Sequence, residues 1–199
     1  MNDVRSGKIV VVSHCILNVH SLEDNLAIYP GLEEEVIQLL VSAEVGIYQL
    51  PCPEMNLFGI SRKPLPKEAY QGLKVRTHYK SMANKVVKQL KEFIKKGYEI
   101  VAVIGAEGSP SCGIHQVGKW LTHIPKNERQ FPRDVVFIEG RGVFMEELEK
   151  EMGEKDIFPV WVGIPGKSIR STDPESFQKT LAQLKNQLDP TDRKNIRGR

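Results

Sequence analysis

The chain has 199 residues and a formal net charge of +3, with apolar and charged fractions ordinary for a globular protein. That length is enough to bury a real core in one domain. The small net charge does not argue for a nucleic-acid binder, and no apolar run approaches the roughly 20 residues needed to span a bilayer.

The expected elements run in chain order. Residues 8–13 read as a first strand, and 14–31 as a long loop with no clean period. Leu32–Ala43 carries apolar residues at Leu32, Val36, Leu40 and Ala43, with three glutamates in its first turn, which predicts a helix. A second strand is expected at 47–50. Residues 51–76 hold four prolines and read as irregular. Thr77–Lys96 is the clearest helix, with Met82, Val86, Leu90, Phe93 and Ile94 on one face and Gly97 as its stop. It leads into a third strand at Glu99–Ile104. Another loop follows Cys112, with a possible fourth strand at Val135–Ile138. A helix at Val143–Met152, a strand at Ile157–Val162 and a helix at Asp173–Leu188 complete the pattern, with Asp173 as the last helix's N-cap. Residues 189–199 read as a basic flexible tail. The alternation predicts an α/β fold over 1–188, a single-domain, three-layer Rossmann-like fold with a mostly parallel sheet. The polar N-terminus lacks the apolar stretch of a signal peptide, so the expected location is cytoplasmic.

The chain has three cysteines. Cys15, Cys52 and Cys112 each lie at or just past the end of an expected strand. In open α/β sheets ligands bind beyond the carboxyl ends of the strands. Neighbouring strands run about 4.8 Å apart, so three such thiols could converge within about 10 Å. Thiolates suit zinc and iron–sulfur clusters, and three of them on a four-iron cluster leave one iron open. Taken singly, each cysteine reads more readily as a small buried hydrophobe, but the loop residues around Cys52 and Cys112 argue against that for the set.

Three motifs sharpen the choice. SPSCG at Ser109–Gly113, CPE at Cys52–Glu54 and S-x-C-I-L at Ser13–Leu17 resemble, in order and placement, those of the TudS-type desulfidases, the thiouracil desulfurase family. Asn18 stands where the family has glycine, and SLEDN at 21–25 replaces an Arg-Tyr-Asp-Gly-like stretch, which marks a divergent branch. The resemblance implies a 4Fe-4S cluster held by Cys15, Cys52 and Cys112 and lost on exposure to air. It also implies a small thiolated substrate whose sulfur meets the unique iron, with no nucleic-acid or membrane partner. The oligomeric state stays open.

Hydrolysis of a C=S group needs a proton carrier. Glu54, two residues from Cys52, is the first candidate and Glu107 the second. A turn-capping role for Glu54 is equally open, and solvation is the plainer reading of Glu107. Ser109 either binds substrate or shapes the loop before Pro110. His14 and His115, beside Cys15 and Cys112, are candidate proton donors or structural residues. Arg62 and Lys63 could hold an anionic group, and Tyr48, Phe58, Tyr70 or Trp120 could stack on a ring. Three other functions compete. One is a metal-free cysteine nucleophile, using Cys15 or Cys112 with His14 or His115 as base. Another is a phosphate loop at Gly105–Gly113. The third is zinc held by three cysteines and a histidine.

Overall fold

The computed structural model describes residues 3–188; the expected tail at 189–199 lies outside the described residues. In chain order the elements are β1 (Lys8–Val12), α1 (His14–Leu17), α2 (Glu34–Ser42), β2 (Gly46–Gln49), α3 (Pro53–Phe58), α4 (Leu73–Lys95), β3 (Glu99–Glu107), β4 (Gln116–Trp120), β5 (Val135–Glu139), α5 (Val143–Gly153), β6 (Val160–Pro165), α6 (Lys167–Thr172) and α7 (Ser176–Leu188). Single 3-10 turns occupy Val19–Ser21 and Lys67–Tyr70.

The main sheet is four parallel strands in the order β2-β1-β3-β6. Its two faces follow the period-two alternation of β1. Ile9 and Val11 pack with Tyr79, Met82, Val86 and Leu90 of α4 and Phe144, Leu148 and Met152 of α5. Val10 and Val12 turn to the other side, where Val36 and Leu40 of α2 meet Phe177, Leu181 and Leu184 of α7. Two apolar cores on opposite faces of one sheet make the three-layer α/β/α architecture that the element pattern predicts. A register shift between Ile9 and Val10 lets β3 accommodate one extra residue against β1.

Several boundaries differ from expectation. Residues 53–58 form a helix despite the surrounding prolines. Pro53 sits at the first helical position, where its missing N–H costs nothing, and the Cys52 sulfur accepts the Met55 amide at 3.4 Å. Helix α4 starts at Leu73, four residues before the expected Thr77, and its apolar face stops at Leu90, since Phe93 and Ile94 are exposed. It ends where Gly97 takes a φ of 85°. Val135–Ile138 does not join the main sheet. It belongs to β5, which pairs antiparallel with β4 in a separate hairpin. Residues 167–172 add an unanticipated helix, α6, which Asp173 ends, while the Asp173 carboxylate accepts the Glu175 amide at 3.2 Å just ahead of α7. No described helix is long and apolar enough to cross a membrane.

Candidate active site

The chain order β2-β1-β3 puts the carboxyl ends of three adjacent strands side by side, and each is followed by a cysteine. Cys15 lies in the first turn of α1, after β1. Cys52 is the N-cap of α3, just past β2. Cys112 sits in the loop after β3, where its carbonyl accepts the Ala106 amide at 3.0 Å. All three are free thiols and line one pocket of about 150 Å³.

Their electrostatics are mutual. Burial, and then the facing charges of Cys52, Glu54 and Glu23, push the Cys15 thiol up to about 12. Burial, then Cys15 and Cys52, holds Cys112 well above the ordinary thiol value. Cys52 is raised by burial, with Arg62 and the Met55 amide acting against it. The guanidinium of Arg62 lies beside Cys52 at 4.0 Å, but burial still outweighs it, and Cys15 and Cys112 are raised further by their thiol neighbours. That donor set suits a cluster, whose iron would offset three thiolates, and not an activated nucleophile.

The wall beside Cys52 is ionic. Glu54 is 5% exposed and Glu23 8%. Between them lies the Arg62 guanidinium, its Nε 3.1 Å from Glu23 and 3.3 Å from Glu54. Arg62 also donates to the Ser21 carbonyl at 2.8 Å, and the Tyr70 hydroxyl donates to Glu54 at 3.0 Å. Burial, and then the Glu23 charge, pushes the Glu54 carboxyl up to about 8, with Arg62 pulling the other way. Two acids sharing one cation in a dry site hold a proton in the neutral range.

The loop after β3 is built around Glu107. Its carboxylate accepts the backbone amides of Ile114, His115 and Gln116 at 3.2, 3.0 and 2.9 Å. The Ser109 hydroxyl oxygen accepts the amides of Ser111 and Cys112 at 3.3 and 3.0 Å. Gly108 and Gly113 donate to Gln116 and Ser109 carbonyls. These amides already have acceptors within the loop, so the segment does not present them to a phosphate. Glu107 is neither solvated nor free to serve as a base. Ser109 shapes the loop and also lines the pocket, its own O–H remaining available.

The remaining candidates are dispersed. His14 opens into a different cleft, with Tyr48, His78 and Gln89. His115 is exposed and outside the cysteine pocket. Arg62 is not a surface charge; its side chain is 5% exposed and spent on the two acids. Lys63 is exposed. Tyr70 reaches the site through Glu54, with Phe58 edge-on against it at 5.6 Å, whereas Trp120 carries Arg129 over its ring. Among the described residues no three of His, Cys, Asp and Glu are grouped closely enough to hold a single metal ion. Glu23, Tyr29 and the apolar wall of Leu22, Phe131 and Phe137 went unnoticed in the sequence. SLEDN was visible there only as a departure from a motif.

Residues 8–138 match the family described as "Putative 2-thiouracil desulfurase". The chain belongs to this family. It is also 30% identical over 181 residues to an uncharacterized protein of Methanocaldococcus jannaschii, a match covering 91% of this chain and 99% of the relative. Among solved structures it is similar to a [4Fe-4S]-dependent thiouracil desulfidase, TudS, with a TM-score of 0.42 and 16% identity, covering 88% of this chain and 99% of the other. The family match spans β1 to β5, and with them all three cysteines and Glu54.

Proposed function

We propose that the protein is an iron–sulfur-dependent desulfidase that removes sulfur, as sulfide, from a small thiolated molecule such as a thiouracil-like base or a related thioamide. The observation that carries the reading is the convergence of Cys15, Cys52 and Cys112 on one pocket beside a buried carboxyl in a chain of this family. The three thiols would hold a 4Fe-4S cluster, leaving one iron without a protein ligand. Bound there, the cluster supplies a Lewis-acidic site for the sulfur of a C=S group.

The chain's own residues do the rest. Glu54 carries the proton. As carboxylate it takes one from the water that attacks the thiocarbonyl carbon, and as acid it returns one to the departing sulfur. A C–O bond forms, the C–S bond breaks, and no net electron is required. Arg62 and Tyr70 hold the Glu54 carboxyl in place, and Glu23 keeps its proton affinity in the working range. Leu22, Phe131 and Phe137 keep water from the pocket and give a flat ring an apolar wall.

The decisive experiment is anaerobic reconstitution with iron and sulfide. It is followed by absorbance, by iron and sulfide counts, and by a sulfide assay with thiolated nucleobases and simple thioamides. A brown protein with about four irons per chain that releases sulfide is expected. Failure to retain iron overturns the cluster; a loaded protein that is silent on every thioamide overturns the reaction.

A further inference from the structure

A second cleft lies beside the edge strand β2. The β1–α1 and β2–α3 junctions form one of its walls and α4 the other, and its volume is about 540 Å³. None of the residues used in the proposed reaction lines it. Its floor is apolar, with Leu50, Met82 and Val86 all buried. Two hydrogen bonds bridge it. His78 Nε2 donates to the Asn56 side-chain carbonyl at 2.8 Å, and the Tyr48 hydroxyl donates to the Gln89 side-chain carbonyl. Both bridges use the amide oxygen, so the NH2 groups of Asn56 and Gln89 have no partner among the described residues. Nor has the Lys85 ammonium, since no carboxylate lines the cleft. Lys74 and Lys88 on the same helix are likewise exposed and without an ion pair among the described residues, so the field over this face is positive. A cleft that offers a cation and spare donors but no acid suits a negatively charged acceptor. An apolar floor with a few polar groups around it, at this size, is the ordinary form of a small-molecule site.

We infer that this cleft is a second binding site, which takes a small organic anion with its acidic group on Lys85 and Gln89, its body over Leu50, Met82 and Val86, and its far end on the Asn56 amide. Lys85 and Gln89 are four residues apart on α4 and so are neighbours on one face. His78, which holds Asn56, is two turns from Lys85, about 10 Å along the helix. A phosphate ester or an organic acid of that length spans the cleft, and a bare ion does not. The site stands apart from the cluster reading, because no thiol lines it. It nevertheless backs onto the cysteines. His14 precedes Cys15 and Pro51 precedes Cys52, and in each pair the first residue lines this cleft and the second lines the cysteine pocket. An occupant therefore rests against two of the segments that carry the thiols.

The test is titration of the cluster-free full chain, at constant ionic strength, with inorganic phosphate, a nucleoside monophosphate and an aliphatic dicarboxylate. Binding is read from the ring proton resonances of His14 and His78 and from the melting temperature. Saturable shifts in both rings and a higher melting temperature are expected with at least one organic anion. Its affinity should exceed that of inorganic phosphate by about tenfold, since phosphate has no body to cover the apolar floor. The tighter of the two organic anions identifies the acid. Lys85→Glu should weaken binding about tenfold or more. Lys88→Glu, the same charge change nearly one turn on and outside the cleft, should leave it within about twofold. Both lysines are exposed, so neither change disturbs the core. No saturable binding up to about 10 mM overturns the inference. So does phosphate binding as tightly as both organic anions, or an equal loss in the two variants. Each outcome is independent of whether the chain retains iron.

Discussion

Gly163 lies in the middle of β6, opposite Gly105 of β3. A methyl group there would sit 1.8 Å from Glu107 Oε1 and 2.2 Å from its Cδ, so something must move. The backbone is held by parallel pairing on both sides of the contact, from Ala102–Val160 to Glu107–Pro165. The carboxylate is the group that yields, and it gives up its grip on the amides of Ile114, His115 and Gln116. Hydrogen bonds to a charged group contribute about 1.5–3 kcal/mol each. His115 and Gln116 are exposed and water replaces part of what they lose. The expected cost of Gly163→Ala is therefore about 3 kcal/mol, or about 6–12 °C in melting temperature for a domain of this size. Urea and thermal unfolding of the cluster-free protein measure it. A cycle with Glu107→Ala isolates the cause: the double variant should be less destabilised than the sum of the singles by at least about 1 kcal/mol. A Gly163→Ala protein within about 0.5 kcal/mol of wild type, or strict additivity in the cycle, refutes the reasoning.

Other outcomes follow from the site. Replacing any one of Cys15, Cys52 or Cys112 with alanine should lower iron retention; a variant that keeps a full complement removes that residue from the ligand set. Glu54 has its folded pKa raised from 4.5 to about 8, so the native state holds a proton that the unfolded chain has released. Its contribution to stability is therefore fully present below about pH 4.5 and lost as pH rises through about 8. Glu54→Gln should flatten the fall in unfolding free energy between pH 5.5 and 8.5; an unchanged slope counts against the buried proton. Arg62→Met leaves Glu23 and Glu54 without their shared cation and should cost about 3 kcal/mol at pH 8. The cost should shrink at pH 5, where Glu54 is protonated, and equal costs at the two values would contradict the pairing.

Much of this architecture is legible in the chain. The apolar run of β1 and the face of α4 carry periods that propensity does not obscure, and the cysteines mark three strand ends, two of them with proline or glycine neighbours at Cys52 and Cys112. What stays hidden has a physical reason in each case. The prolines around Cys52 suggest irregular chain, but one of them is at the helix position where proline is at home. Strand β4, QVGKW, is too polar and too short to stand out, and depends on pairing with β5 and on Gly108 amide contacts. The protonation of Glu54 depends on Glu23 and Arg62, whose approach is a product of folding. His14 adjoins Cys15 and His115 follows Cys112 by three residues, but the first turn of α1 and the loop after Cys112 direct them elsewhere. Adjacency along a chain says little about direction.

The strand order has a consequence for biosynthesis. Cys15 and Cys52 leave the ribosome early, but the strand that seats the third sulfur next to β1 follows the long helix α4. A nascent chain that has reached only that helix carries two thiols and an unfinished wall. On the cluster reading, metal delivery would be confined to chains that have already laid β3 against β1, and a truncated or misregistered product would present no complete socket to load.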